Sequence, residues 1–246
     1  MNMERDVRVR AVVTNTRPYG EMHRSVTLLT DSLGLINAKI FGGRKGKKTA
    51  LAPLYSYGTF QLYHNPVNDT YTLSEEQSEF TPLGIMKDLK ATYTAAYMCE
   101  ASSRLAGDIP EQMCSLLSRA LKILDDNPEQ SRKVLIDFTW KLIQTSGISA
   151  GFEYCPSCDR KLEDDEVMLF STSLISPVCR NCADNENLAL LPGCRRYLSY
   201  TQDMEIEKAF EVQLYDTAQQ RLRDFLIPWI SFFSQQSLQT LKSGLI

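Results

Sequence analysis

Two short cysteine pairs constrain this chain more tightly than anything else in it: Cys155-Pro-Ser-Cys158 and, after twenty intervening residues, Cys179-Arg-Asn-Cys182. Two residues between sulfurs let a tight turn aim both at one ion while its backbone amides donate to the thiolates. Two such turns supply the tetrahedral set of four that Zn2+ prefers. Between them, Glu166–Phe170 and Ser171–Ile175 are expected to form the hairpin of a zinc ribbon. Four protein ligands leave no position for water, so an ion held by Cys155, Cys158, Cys179 and Cys182 is structural rather than catalytic. Two disulfides are the first alternative, disfavoured because the N-terminus, MNMERDVRVR, has charges where an export signal needs an apolar core. A redox or thiol-enzyme site is the second, and the pairs lack the βαβ context it needs. A cytoplasmic address follows as the expectation. Cys99, Cys114 and Cys194 read as small core hydrophobes.

Upstream, the first 80 residues carry strand signals. Val7, Val9, Ala11 and Val13 alternate with Arg8 and Arg10, as in a half-buried strand. A turn at Arg17-Pro18-Tyr19-Gly20, an apolar run Val26–Leu29, a turn at Asp31–Gly34 and a strand Leu35–Phe41 follow. Tyr57–Tyr63, a turn over Asn65–Asp69 and a short strand Tyr71–Ser74 complete the set. Five short strands without a crossover helix are best closed into a small antiparallel barrel, OB-like or SH3-like, because closure removes exposed edges.

From Pro82 the period becomes helical. Leu89, Tyr93, Ala96, Tyr97 and Ala101 mark one helix, and Pro110 opens a second with Met113, Leu116, Leu117, Ala120, Leu121 and Leu124 inward. Asn127-Pro128 is expected to cap a third, with Leu135, Phe138, Leu142 and Ile143 inward and Gly147 as its stop. The pattern returns after residue 200 with Ile206, Ala209, Phe210 and Leu214, then Leu222, Phe225, Leu226, Trp229 and Phe233, where Pro228 should kink or break the helix. The fold class read here is α+β: a barrel over 1–81, a helical domain over 82–150 and 186–246, and a zinc finger, 151–185, inserted into it.

No apolar run reaches the roughly 18 residues of a membrane span. The formal net charge is −3, but residues 1–73 hold ten Lys+Arg against five Asp+Glu, which leaves 17 against 25 for the remainder. That asymmetry allows a polyanion-binding face on the first part. Arg44, Lys45, Lys47 and Lys48 crowd one Gly-containing connection, costly to hold together unless a polyanion visits. With Lys39 and Phe41 on one strand face, Arg8 and Arg10 on the first strand, and Arg24, Arg17 and Tyr19 by the first turn, they suggest a charged groove with an aromatic for base stacking, suited to single strands.

No catalytic set holds. The two histidines, His23 and His64, both fall in the barrel segment, and His23 reads as a surface or phosphate-facing residue. Gly42–Lys48 lacks the spacing, the hydroxyl after the lysine and the following helix of a phosphate-binding loop. Glu163–Glu166 reads as a solvated acidic turn. A non-enzymatic binder without a small-molecule substrate is the expectation. The alternative class is an OB-fold and zinc-ribbon module of transcription or translation that binds RNA or protein.

The stretches Pro18-Tyr19-Gly20-Glu21, Val26-Thr27-Leu28-Leu29-Thr30 and Gly34-Leu35-Ile36, with Gly42 and the basic residues after it, resemble the N-terminal signature of the RecO family of bacterial DNA-repair proteins. Cys155–Cys158 and Cys179–Cys182 fall where zinc-bearing members place their finger, and Ser237–Ser243 fits the family's close. Thr49 stands where relatives often have Ser. The resemblance implies an N-terminal OB-fold, a helical domain and a structural zinc. It implies binding of single- and double-stranded DNA, annealing of complementary strands, and work with RecR to load RecA onto DNA coated by single-stranded-DNA-binding protein (SSB), whose acidic C-terminal tail docks on the helical domain. A cytoplasmic, nucleoid-associated place follows from it.

Overall fold

Strand β1 (Asp6–Tyr19) is long enough to belong to two walls of a barrel. Its first half pairs antiparallel with β4 (Tyr57–Asn65), its second with β2 (His23–Thr30), and the register slips between Val13 and Asn15 where it changes partner. Such a bulge bends a strand enough to close a sheet. β3 (Leu35–Ile40) pairs with β2 on one side and runs parallel to β5 (Thr70–Phe80) on the other, giving a closed barrel in the order β1-β2-β3-β5-β4. That order is OB-like and decides against the SH3-like alternative. Val9, Ala11, Val13, Val26, Leu28, Ile36, Ala38, Ile40, Phe60, Leu62 and Leu73 fill it. The structure, a computed structural model, describes residues 5–44, 47–107, 109–148, 151–233 and 238–244.

Two strands outrun their sequence signals. β1 continues through Arg17-Pro18-Tyr19, and the turn comes at Gly20, whose φ of +62° no side chain opposes. β5 extends through the polar run Glu75–Glu79 because β4 offers it backbone partners, with register shifts at Tyr57/Gly58 and Gln61/Leu62. The β3–β4 connection is not loose. Ala52 is fully buried with the barrel core, Arg24 donates to the Leu51 carbonyl, and the Glu76 carboxylate accepts from the Ala52 amide at 2.6 Å.

The chain divides into two compact units, Met1–Glu129 and Gln130–Gly244. In the first, α1 (Leu89–Leu105) and α2 (Pro110–Asp126) follow the barrel and pack against it and each other. Asp88 caps α1 by accepting from the Ala91 amide at 2.7 Å. Asn127, expected to open the third helix, instead closes α2: its amide side chain donates to the Ile123 carbonyl at 3.0 Å, and a 3-10 turn, Pro128–Gln130, precedes α3.

The second unit is organised around α3 (Ser131–Thr145), buried on nearly every side and ended as expected by Gly147 at φ +78°. It buries charges the sequence pattern hides. Lys133 Nζ donates to Asp137 Oδ2 at 2.6 Å and to the Ala209 carbonyl at 3.1 Å, and Lys141 Nζ donates to the carbonyls of Thr201 and Gln202 at 2.7 and 2.8 Å. These bonds fasten α3 to α4 (Pro192–Thr201) and α5 (Ile206–Glu211). α4 escaped the periodicity reading because it is short, although Pro192 at its first turn and the buried Cys194, Arg195, Tyr197, Leu198 and Thr201 mark it. α6 (Asp216–Phe233) runs unbroken through Pro228, against the expected break. The buried Phe225, Leu226, Trp229 and Ile230 flank the proline and hold its path, and the helix packs on α3. No described helix is long and apolar enough to cross a membrane.

Candidate metal centre and nucleic-acid interface

The second unit also carries β6 (Met168–Ser171), β7 (Ser176–Val178) and β8 (Asn185–Leu190), in the order β7-β6-β8. The β6–β7 hairpin is the one the cysteine spacing demanded, with 172–175 as its turn rather than its second strand. β8 was not read from sequence. Asp184 pins the turn, accepting from the Thr172 amide at 2.7 Å and hydroxyl at 3.0 Å; these bonds, the backbone one foremost, hold its carboxyl below the ordinary range.

At the base of this sheet the four predicted ligands converge. The sulfurs of Cys155, Cys158, Cys179 and Cys182 all lie within 4.8 Å of one another. Tetrahedral bonds of about 2.3 Å to Zn2+ place sulfurs about 3.8 Å apart, and Cys158 Sγ stands 3.8 Å from Cys179 Sγ. The cysteines are free thiols, which removes the disulfide alternative. Each pair sits in a tight turn. In the first, the Asp159 amide donates to the Cys155 carbonyl at 2.9 Å and Asp159 takes φ +54°, a left-handed conformation that Asp tolerates. In the second, a 3-10 turn, the Cys182 amide donates to the Cys179 carbonyl at 3.0 Å. The Cys179 amide donates to Cys155 Sγ at 3.3 Å, tying the two turns together.

Cys158 and Cys179 do not ionise alike. Burial opposes ionisation of Cys179, but hydrogen bonds from the Cys182 thiol, Arg160 and the Cys155 thiol overcome it and bring Cys179 down to about 7. The Arg160 amide favours the Cys158 thiolate, yet the thiols of Cys182, Cys155 and Cys179 drive Cys158 up to about 12. Cys179 is thus turned toward thiolate while Cys158 is held as a thiol, and a bound divalent cation is what lets both serve as thiolate ligands. The donor set and spacing thus fit a closed four-thiolate metal site.

The finger is tied into its unit rather than hung from it. Phe170 of β6 meets Phe225, Trp229 and Phe232 of α6 at ring-centroid distances of 6.2, 6.1 and 5.4 Å, and Trp229 Nε1 donates to the Ile175 carbonyl at 2.9 Å. The acidic turn Glu163–Glu166 is not merely solvated. The buried Arg195 donates to the carbonyls of Glu163 and Glu166, and Arg160 pairs with the Glu166 carboxylate. Cys99, Cys114 and Cys194 are buried in helices, as expected of core residues; burial pushes Cys114 up to about 12.

On the barrel, the predicted basic residues separate into groups. Arg8 and Arg10 lie on the outer β1–β4–β5 wall. Arg8 shares a polar groove with Gln61, Glu75 and Glu76, and Arg10 pairs with Glu79 at 3.0 Å while its guanidinium lies 5.1 Å from the Tyr57 ring centre. Arg24 is half-buried, its carbonyl bond to Leu51 bracing the β3–β4 connection; burial lowers its pKa, with Glu76 opposing. Lys39, Phe41 and Arg44 gather elsewhere, beside the β1–β2 turn. Lys39 Nζ lies 5.0 Å from the Tyr19 ring centre, and Arg44 joins the turn through its amide to the Met22 carbonyl at 3.2 Å and its guanidinium to the Gly20 carbonyl at 3.4 Å. Lys48 is exposed in a 3-10 turn, Lys47–Ala50, of the β3–β4 connection. Lys45 lies outside the described residues. His23 is not a free surface ligand: its Nδ1 accepts from the Gly42 amide at 3.1 Å, and its ring packs edge-on to Phe41 at 5.1 Å. Sequence reading put Lys39, Phe41, Arg44 and Tyr19 on one surface but missed the place of His23 among them.

Comparison with known proteins agrees over both units. A family model described as Recombination protein O N terminal matches residues 3–79, and one described as Recombination protein O C terminal matches residues 86–242. A DNA repair protein RecO from Clostridium kluyveri is 23% identical over 247 residues, covering 96% of this chain and 93% of the relative. Proteins of the same name from Dehalococcoides mccartyi and Bacillus pumilus are 26% and 24% identical, covering 87% and 96% of this chain and 85% and 92% of the relatives.

Proposed function

The chain belongs to the RecO family of recombination proteins, and on that premise we propose that it is a non-enzymatic DNA-repair mediator of the cytoplasm and nucleoid. It binds single- and double-stranded DNA through its barrel, anneals complementary strands and, with RecR, promotes RecA loading on SSB-coated DNA, the SSB tail docking on the helices. The observation that carries the DNA-binding reading is the barrel edge where Lys39 lies over Tyr19 and Arg44 bonds the β1–β2 turn beside the exposed Phe41, on an OB-like fold with Lys48 exposed in the next connection. Cations there neutralise phosphates and exposed rings meet bases, which binds a strand without reading its sequence. The β1–β2 turn and the β2–β3 face are also where OB folds take oligonucleotides. Annealing and loading need no bond chemistry, only two strands or two proteins held together.

Zn2+ is the ion proposed for Cys155, Cys158, Cys179 and Cys182. When bound it supplies charge neutralisation and a cross-link between the two turns, so its place is structural. The DNA reading is tested by titrating a labelled single-stranded oligonucleotide at two salt concentrations. Lys39→Glu with Lys48→Glu is expected to weaken binding and flatten the salt dependence by about two phosphate contacts. Unchanged affinity and slope refute it, and a preference for structured RNA over single-stranded DNA supports an RNA-binding module instead.

A further inference from the structure

We propose that Tyr19 and Phe41, spaced by His23, form a base-stacking platform that makes this barrel edge selective for unpaired nucleic acid; the platform rests on the DNA-binding reading above. Tyr19 ends β1 and pairs across the turn with His23, which opens β2, while Phe41 directly follows β3. Three chain segments thus bring three rings together. The His23 ring lies 6.4 Å from Tyr19, tilted by 33°, and 5.1 Å from Phe41 at 76°.

The rings are held, yet partly open to solvent. Gly42, at φ +73°, turns its amide onto His23 Nδ1, which fixes the imidazole as a spacer. Tyr19 and Phe41 nevertheless remain 43% and 48% exposed. Aromatic rings fixed at their edges and open to solvent are pre-ordered for a planar ligand, since little side-chain freedom remains to be lost on binding. The cations are equally close: the Lys39 ammonium sits over the Tyr19 ring and the Arg44 guanidinium bonds the intervening turn at Gly20. A strand whose backbone follows those charges lays its bases toward the rings. Duplex bases are already stacked and cannot reach them, so the charges act on both forms of DNA and the rings on one.

The test uses the full-length, metal-loaded protein, oligo(dT) and a duplex of equal length. Tyr19→Ala with Phe41→Ala is expected to lose at least about tenfold in affinity for oligo(dT), since base–aromatic stacking is worth roughly 5- to 150-fold per base. Duplex affinity and the salt slope should stay as in the wild type, which also shows that the variant is folded. Tyr19→Trp with Phe41→Trp should keep oligo(dT) binding and show emission quenched by oligo(dT) but not by duplex. If the wild type binds both forms and the alanine pair binds like it, or loses equally on both, the platform is refuted while the DNA reading stands. Quenching of the tryptophan pair equally by both forms also refutes it. A wild type that binds neither form removes the DNA reading and the platform with it.

Discussion

Lys133→Met is expected to destabilise the Gln130–Gly244 unit by about 3–5 kcal/mol, the usual cost of leaving half of a buried ion pair alone. The side chains of Lys133 and Asp137 are only 5% and 1% exposed. Lys133 Nζ meets Asp137 Oδ2 and Tyr197 Oη, each at 2.6 Å, and the Tyr197 hydroxyl donates to Asp137 Oδ1 at 2.6 Å. Removing the ammonium leaves the carboxylate with one hydroxyl and the more distant charge of Lys141. Lys133→Met with Asp137→Leu removes both charges together and is expected within about 1–2 kcal/mol of wild type, the residue being the lost donor to Tyr197 and Ala209. Urea unfolding followed by tryptophan emission reads this unit directly, because both tryptophans, Trp140 and Trp229, lie in it. pH supplies a second check. Burial raises the Asp137 carboxyl and Lys133 opposes that rise. Without Lys133 the carboxyl climbs further, and the folded state keeps a proton that the unfolded chain releases. Stability of the single variant is then fullest below the unfolded carboxyl range near about pH 3.9 and is lost as pH rises through the raised folded value. Its deficit should therefore narrow on acidification from about pH 7 to about pH 5, and that of the double variant should not. A single variant within about 1 kcal/mol of wild type, or a double variant no more stable than the single, refutes the reasoning.

Cys155→Ser is expected to lower bound metal well below one equivalent per chain and to shift tryptophan emission, because the Phe170–Trp229 contact carries any loosening of the finger into α6; metal analysis with emission spectra checks it, and a wild type free of any metal sinks it. Gly58→Ala would set a Cβ 2.4 Å from the Gln77 carbonyl across the β4–β5 seam, so a cost of about 1–3 kcal/mol is expected in the barrel. A circular dichroism melt should then show an early transition while the tryptophan-reported one stays in place.

Much of this architecture was legible because two of its signals are strong. Alternation over Val7–Ala11 and the two cysteine pairs state local geometry outright, and Pro110 and Gly147 sit where a helix begins and ends. What escaped was set by partners far along the chain. Ala11, Val12 and Val13 are all buried, so alternation fails where β1 bends from one wall to the other. Glu75–Glu79 has no strand propensity of its own and becomes strand because β4 lacks a neighbour there. Lys133, Asp137 and Lys141 look like the solvent face of an amphipathic helix; only the close approach of α4 and α5 makes them interior. At the interface, the sequence gathered the basic residues but could not say which of them faced a carboxylate.

That last point bears on how charge selects a binding edge. The excess of cations over residues 1–73 stops just short of Glu75, Glu76 and Glu79, which add three carboxylates and no cation. Folding lays those residues back across the wall that carries Arg8 and Arg10, pairing Arg10 with Glu79 and lining the Arg8 groove with Glu75 and Glu76. Lys39 has the uncharged Ser25 and Thr72 as its cross-strand neighbours instead. A polyanion approaching the β1–β4–β5 wall meets a mixed field that largely cancels within a Debye length, about 8 Å at physiological salt. At the β1–β2 turn it meets Lys39 without a carboxylate across the strands and Arg44 beside it, with Glu21 of the turn as the acidic residue there, next to exposed rings. Under the proposed DNA-binding reading, strand pairing, more than the number of basic residues, decides which barrel edge faces a phosphate backbone.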